Sequence, residues 1–167
     1  MARRKKTAAQ LRGEILVHLE EFDYQLLLLE KAMEQFGENF DLREFKRAFE
    51  KQAGISASHQ VQAVERSFSR VQNFIAQLAE SGSMLAQLKL PKSHGGDAAR
   101  AFEALREAKI IEASICNQLK RGQAMRSEIE HEYVQVKAGR VHEAAKLVAA
   151  IAPEFISRYK TWIEPYL

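Results

Sequence analysis

Apolar residues recur at positions 15, 19, 22, 26, 29, 33 and 36 (Ile, Leu, Phe, Leu, Leu, Met, Phe), alternating steps of four and three. That spacing keeps one face of an α-helix apolar and predicts a long helix with one buried stripe, closed by Gly37 as C-cap. Asp41 and, three residues later, Glu44 have the spacing of a capping box. They open a short helix that buries Leu42, Phe45 and Phe49 before Gly54 stops it. A longer pattern follows in Val61, Val64, Phe68, Val71, Ile75, Leu78, Leu85 and Leu88, with Ser81-Gly82-Ser83 as a weak point near its end. The turn-rich stretch from Pro91 to Gly96 predicts a loop within one domain, with Asp97 placed to cap the next helix. Phe102 and Leu105 mark a short helix, Ile111 to Ile129 a longer one, and Val141 to Trp162 a last one that Pro153 must kink or restart.

No alternating β-branched pattern interrupts this series, and no internal repeat is present. The expected class is all-α, an up-and-down helical bundle of about five to six helices. Residues 1–10 read as a basic flexible N-terminus and 11–167 as a single helical domain. With 167 residues, 46% of them hydrophobic, the chain is long enough to bury a core without covalent staples. Its formal charge of +3 owes much to Arg3, Arg4, Lys5 and Lys6, so net charge alone does not announce nucleic-acid binding. The single cysteine, Cys116, excludes an internal disulfide and a cysteine metal cage and fits a reducing, cytoplasmic setting. No apolar run approaches the roughly 20 residues of a membrane span, so no membrane partner is expected.

The chemistry concentrates in Met125-Arg126-Ser127-Glu128-Ile129-Glu130-His131-Glu132-Tyr133. A bare Arg-x4-His is a weak signal. Its extension to His131-Glu132-Tyr133, the Arg140-Val141-His142-Glu143 helix start that follows, and the preceding Ala101-Phe102-Glu103-Ala104-Leu105, Lys109-Ile110-Ile111 and Leu119-Lys120 make it more specific. Over Ala101 to Leu167, about 40% of the chain, this text resembles the HepT-like branch of the HEPN superfamily, small helical proteins usually encoded beside a minimal nucleotidyltransferase.

The resemblance implies a toxin of a toxin–antitoxin pair, a metal-independent endoribonuclease acting as a homodimer with RNA as substrate, no cofactor and no metal. It implies catalytic roles for Arg126 and His131, and makes Tyr133 the acceptor for adenylyl groups delivered by a cognate nucleotidyltransferase antitoxin. Ser127 stands where family members commonly carry asparagine, and Glu128 belongs with Glu130 and Glu132 to three carboxylates around His131; Ser127 and Glu128 are the supporting residues. Independent of the resemblance, a guanidinium suits phosphate oxygens and an imidazole suits proton exchange near neutral pH. On a straight helix the two would point about 140° apart, so either the helix ends between them or another copy of the chain completes the site.

Two other readings compete. Arg126 spaced four residues from Glu130 is also what a solvated helix surface with an incidental histidine would show. A catalytically inactive helical module that binds a nucleotidyltransferase or a nucleotide would keep the same text. His18, His59, His94 and His142 show no ligand spacing and are expected at the surface or at helix ends.

Overall fold

A computed structural model describes residues 6–92, 95–131 and 137–167. Among them are six α-helices: α1 (Ala8–Glu34), α2 (Leu42–Phe49), α3 (Ile55–Leu85), α4 (Asp97–Glu107), α5 (Ala113–His131) and α6 (Ala138–Ile163). Short 3-10 turns follow α2 at Lys51–Ala53 and α6 at Glu164–Tyr166. The all-α expectation holds, and no described helix is long and apolar enough to cross a membrane.

Contacts between side chains give the direction of the four long helices. Glu14 meets Ser81 and His18 meets Phe74, so α1 and α3 run in opposite senses. Gln72 reaches Leu119 and Gln123, while Ser69 reaches Glu130, which sets α5 antiparallel to α3. Arg158 pairs with Glu112 and Arg140 with Glu128, so α6 returns against α5. The long helices therefore alternate up and down, and α2 and α4 lie in the connections. One apolar cluster draws on all six, with Phe22, Phe45, Phe68, Phe102 and Phe155 fully buried. Emptying any such phenylalanine position to alanine typically costs about 3–5 kcal/mol.

Local chemistry explains the ends. Thr7 caps α1 in a capping box with Gln10, a signal that lies upstream of the apolar stripe. The Asp41 carboxylate accepts from the backbone N–H groups of Arg43 and Glu44, both at 2.9 Å. These bonds, Glu44's foremost, hold the Asp41 carboxyl below the usual range. Only this half of the expected box forms, because Glu44 turns outward to Arg47. The cap of α4 is Gly96, and Asp97 falls in the first turn, where its charge suits the helix dipole.

Two expectations about breaks are corrected. Ser81-Gly82-Ser83 is no weak point: α3 continues to Leu85 with all three residues buried. Gly82 is required by close approach, since a Cβ there would lie 2.5 Å from the Tyr159 hydroxyl oxygen and 3.0 Å from the Trp162 ring. Tyr159 itself donates to the Leu78 carbonyl at 2.7 Å, tying α6 to α3. Pro153 does not restart α6, which runs unbroken through it with the proline ring on an exposed position.

Two histidines also depart from the surface placement. His142 is buried, stacked on Phe40 at 4.3 Å, with Nε2 2.6 Å from the Phe40 carbonyl oxygen. His18 is half-buried in mid-helix, edge-on to Phe74, and its Nδ1 has no hydrogen-bond partner among the described residues. His59 is exposed near the start of α3, and His94 lies outside the described residues.

Gly82→Ala gains about 1 kcal/mol of helix propensity but forces apart a packed tyrosine and tryptophan, which typically costs about 1–3 kcal/mol. A net loss of stability is expected in urea titration. For His18, burial lowers the pKa below 6.5, opposed by Glu14 and reinforced by Lys6. The unfolded chain then binds the proton first. Stability is full above pH 6.5 and falls as pH drops from there through the folded value. His18→Gln should flatten that part of the stability–pH curve.

Candidate functional site

Arg126 is held from two helices. Its Nε donates to Ser69 Oγ at 3.0 Å and to Glu130 Oε1 at 2.9 Å, and Nη1 reaches Asn73 Oδ1 at 3.4 Å. Ser69 Oγ in turn donates to the same Glu130 oxygen at 2.7 Å. The arginine side chain is 20% exposed, and Nη2 has no hydrogen bond among the described residues. A guanidinium anchored at Nε and Nη1 presents its Nη2 donors in a set direction.

This arrangement follows from helix periodicity. On α3 the buried positions Val61, Val64, Phe68, Val71, Gln72 and Ile75 face the core. Ser69 and Asn73, four residues apart, share a flank of that stripe and look across at α5. Their role was not anticipated from the sequence, although polar residues at four-residue spacing beside an apolar stripe carry that signal. The i+4 pairing of Arg126 with Glu130, weighed above as a solvated-surface pair, is present.

His131 is the last residue of α5 and is exposed, with no hydrogen bond among the described residues. Because α5 continues unbroken through it, Arg126 and His131 project about 140° apart, and one copy does not bring them together. Ser127 is exposed. Glu128 turns to α6 instead, accepting from Arg140 Nε at 3.0 Å and Nη2 at 2.8 Å. Arg140 also reaches Glu143, which pairs with Arg121, so four charges clamp the end of α5 to the start of α6. The described carboxylates near His131 in sequence, Glu128 and Glu130, are thus engaged by arginines. Glu132 and Tyr133 lie outside the described residues.

Among the described residues, no three His, Cys, Asp or Glu side chains gather as a metal-ligand set. Cys116 is buried, and burial foremost pushes its thiol up to about 11, where it is a poor nucleophile. Neighbouring Glu103 is held below the usual carboxylate range by Lys120 first and Arg106 second. It ties α4 to α5 through Lys120 and pairs within α4 with Arg106.

If Ser69 and Asn73 orient Arg126, removing both should cost about 1–2 kcal/mol of stability in urea titration with helical circular dichroism unchanged. An unaltered midpoint would show that the guanidinium finds equal partners elsewhere. No family model, no curated protein and no solved structure matches this chain.

Proposed function

We propose that the chain is a HEPN-type, HepT-like toxin, a metal-independent endoribonuclease that acts as a pair of copies. The observation that carries this reading is the form of α5. One unbroken helix ends on an exposed imidazole and, a little over one turn earlier, bears a guanidinium whose orientation is fixed from α3. Cleavage of RNA without a metal needs a group to take the proton of the ribose 2′-hydroxyl and another to give one to the departing 5′-oxygen. It also needs positive charge against the phosphorane. In this reading Arg126 holds the scissile phosphate through Nη2, and the His131 rings of two copies divide the proton transfers. The 2′-oxygen attacks phosphorus as one imidazole takes its proton. The 5′-oxygen leaves with a proton from the other imidazolium, and a 2′,3′-cyclic phosphate remains.

The angular separation within one copy supports pairing, since a second chain supplies what a single helix directs elsewhere. Neutralisation by a cognate nucleotidyltransferase, with Tyr133 as the adenylyl acceptor, belongs to the same reading. Added nucleotide would bring bulk and negative charge close to a phosphate-binding arginine. One observation favours a second reading, that of a noncatalytic module binding a nucleotidyltransferase or nucleotide: Glu130 already occupies the Nε edge of Arg126.

His131→Ala should lower RNA cleavage by at least about a hundredfold and abolish growth inhibition, with the helical circular-dichroism signal intact. Cleavage at the parental rate in that variant would remove the proposed site, and a parental chain that cleaves no RNA would transfer the protein to the second reading.

A further inference from the structure

Beyond the end of α2, a cleft of about 460 Å³ opens against the first turns of α3. Half-buried Phe49 and buried Val61 form its apolar wall. Ile55 stands among its lining residues at 77% exposure, an unusual cost for a large aliphatic side chain. Gly54, at φ 93, makes the bend that separates the 3-10 turn from α3 and gives the cleft its shape. Polar groups line the rest. Ser58 and Gln62 bond to each other along α3, and Lys51 and Glu50 are exposed on the opposite side.

Glu65 is the anomaly. It is half-buried in the cleft lining and accepts no hydrogen bond among the described residues. Burial raises its carboxyl pKa, with Arg66 opposing. A partly desolvated carboxylate is stabilised by N–H donors, which a ligand in the cleft would supply.

Its register on α3 says where such a ligand would extend. Glu65, Ser69 and Asn73 recur every four residues, and the latter two hold Arg126. Glu65 therefore sits one turn, about 6 Å along the axis, from the arginine's anchor. That is comparable to the span between a backbone phosphate and a base in a single-stranded nucleotide.

We propose that this cleft is a base-binding subsite for a nucleotide adjoining the phosphate held by Arg126, and that it selects guanine. The inference rests on the phosphate role of Arg126 given above. The base lies against Phe49, as bases do on aromatic rings in single-strand recognition. Its N1–H and N2–H donate to the Glu65 carboxylate, and the Lys51 ammonium donates to O6. Adenine would turn the N1 lone pair toward the carboxylate and an amino group toward Lys51, so both polar contacts become repulsive. Cytosine also presents a ring lone pair to Glu65, and uracil offers one donor.

The test is titration of the full chain with guanosine, adenosine, cytidine and uridine monophosphates, followed by amide and side-chain NMR. GMP should bind at least about tenfold tighter than AMP, with shifts at Phe49, Ile55 and Glu65. Glu65→Gln should remove that preference while keeping the helical signal, and Lys51→Ala should weaken GMP without changing AMP. Equal affinity for the four nucleotides, or shifts that bypass Phe49 and Ile55, overturn the subsite. Cleavage assays separate this inference from the nuclease reading. Selective GMP binding at Phe49 by a chain that cleaves no RNA keeps the subsite and overturns the nuclease. Cleavage without base preference that Glu65→Gln leaves unaltered keeps the nuclease and overturns the subsite.

Discussion

Helix α3 packs against every other α-helix of the described fold, and what happens along its length decides most of the rest. A helix surrounded in this way has little surface left for polar side chains, so each polar residue on it must either meet a partner or sit on a narrow flank. Near its C-terminal end the solution is removal of the side chain altogether. Gly82 lets Tyr159 and Trp162 of α6 come within contact of backbone, and the Tyr159 hydroxyl then finds the Leu78 carbonyl. In the middle the solution is pairing, with Ser69 and Asn73 meeting Arg126. Toward the N-terminal end the flank opens into solvent, and Glu65 is left half-buried without a donor among the described residues.

Much of this order was legible in the sequence because helices report their buried face by spacing alone. The stripe from Ile15 to Met33 lies on α1, which ends at Glu34 with Gln35 rather than Gly37 as its C-cap and leaves Phe36 beyond it. Val61 to Leu85 lies on α3, with Leu88 beyond its end, and both helices start ahead of the first residue of the stripe. The misread places share a cause. Ser81-Gly82-Ser83 has loop composition, yet it is helical because small residues are what a close helix crossing demands. Pro153 has breaker chemistry, yet a 26-residue helix packed on its inner face carries the lost hydrogen bond on the exposed side. His142 has a polar ring, but Phe40 offers both a flat surface and a carbonyl, and those partners stand 102 residues away, beyond the reach of local pattern.

The site was legible in a different sense. Residue types and spacing pointed to Arg126 and His131, and geometry adds what spacing could not: α5 does not end between them, so the two groups diverge. The sequence left two ways to unite them, an interrupted helix or a second copy, and the first is gone. Nor did the text single out Ser69 and Asn73, because residues that position a functional group across a helix interface are set by three-dimensional register. Glu128, read as support for the site, is committed to the charged clamp with Arg140, Glu143 and Arg121.

The buried Gln72 fixes that register. It donates to the Leu119 carbonyl and to Gln123, both at 3.3 Å, and a side chain on Gly122 would begin 2.7 Å from its amide oxygen. Sliding α5 by one turn would put Gln118 or Arg126 where only a hydrogen atom fits. The pair of helices therefore behaves as a keyed shaft, admitting one axial setting. Because Arg126 lies a single turn beyond the key, the glutamine and the glycine set the register that brings it to Ser69 and Asn73, without bonding it themselves.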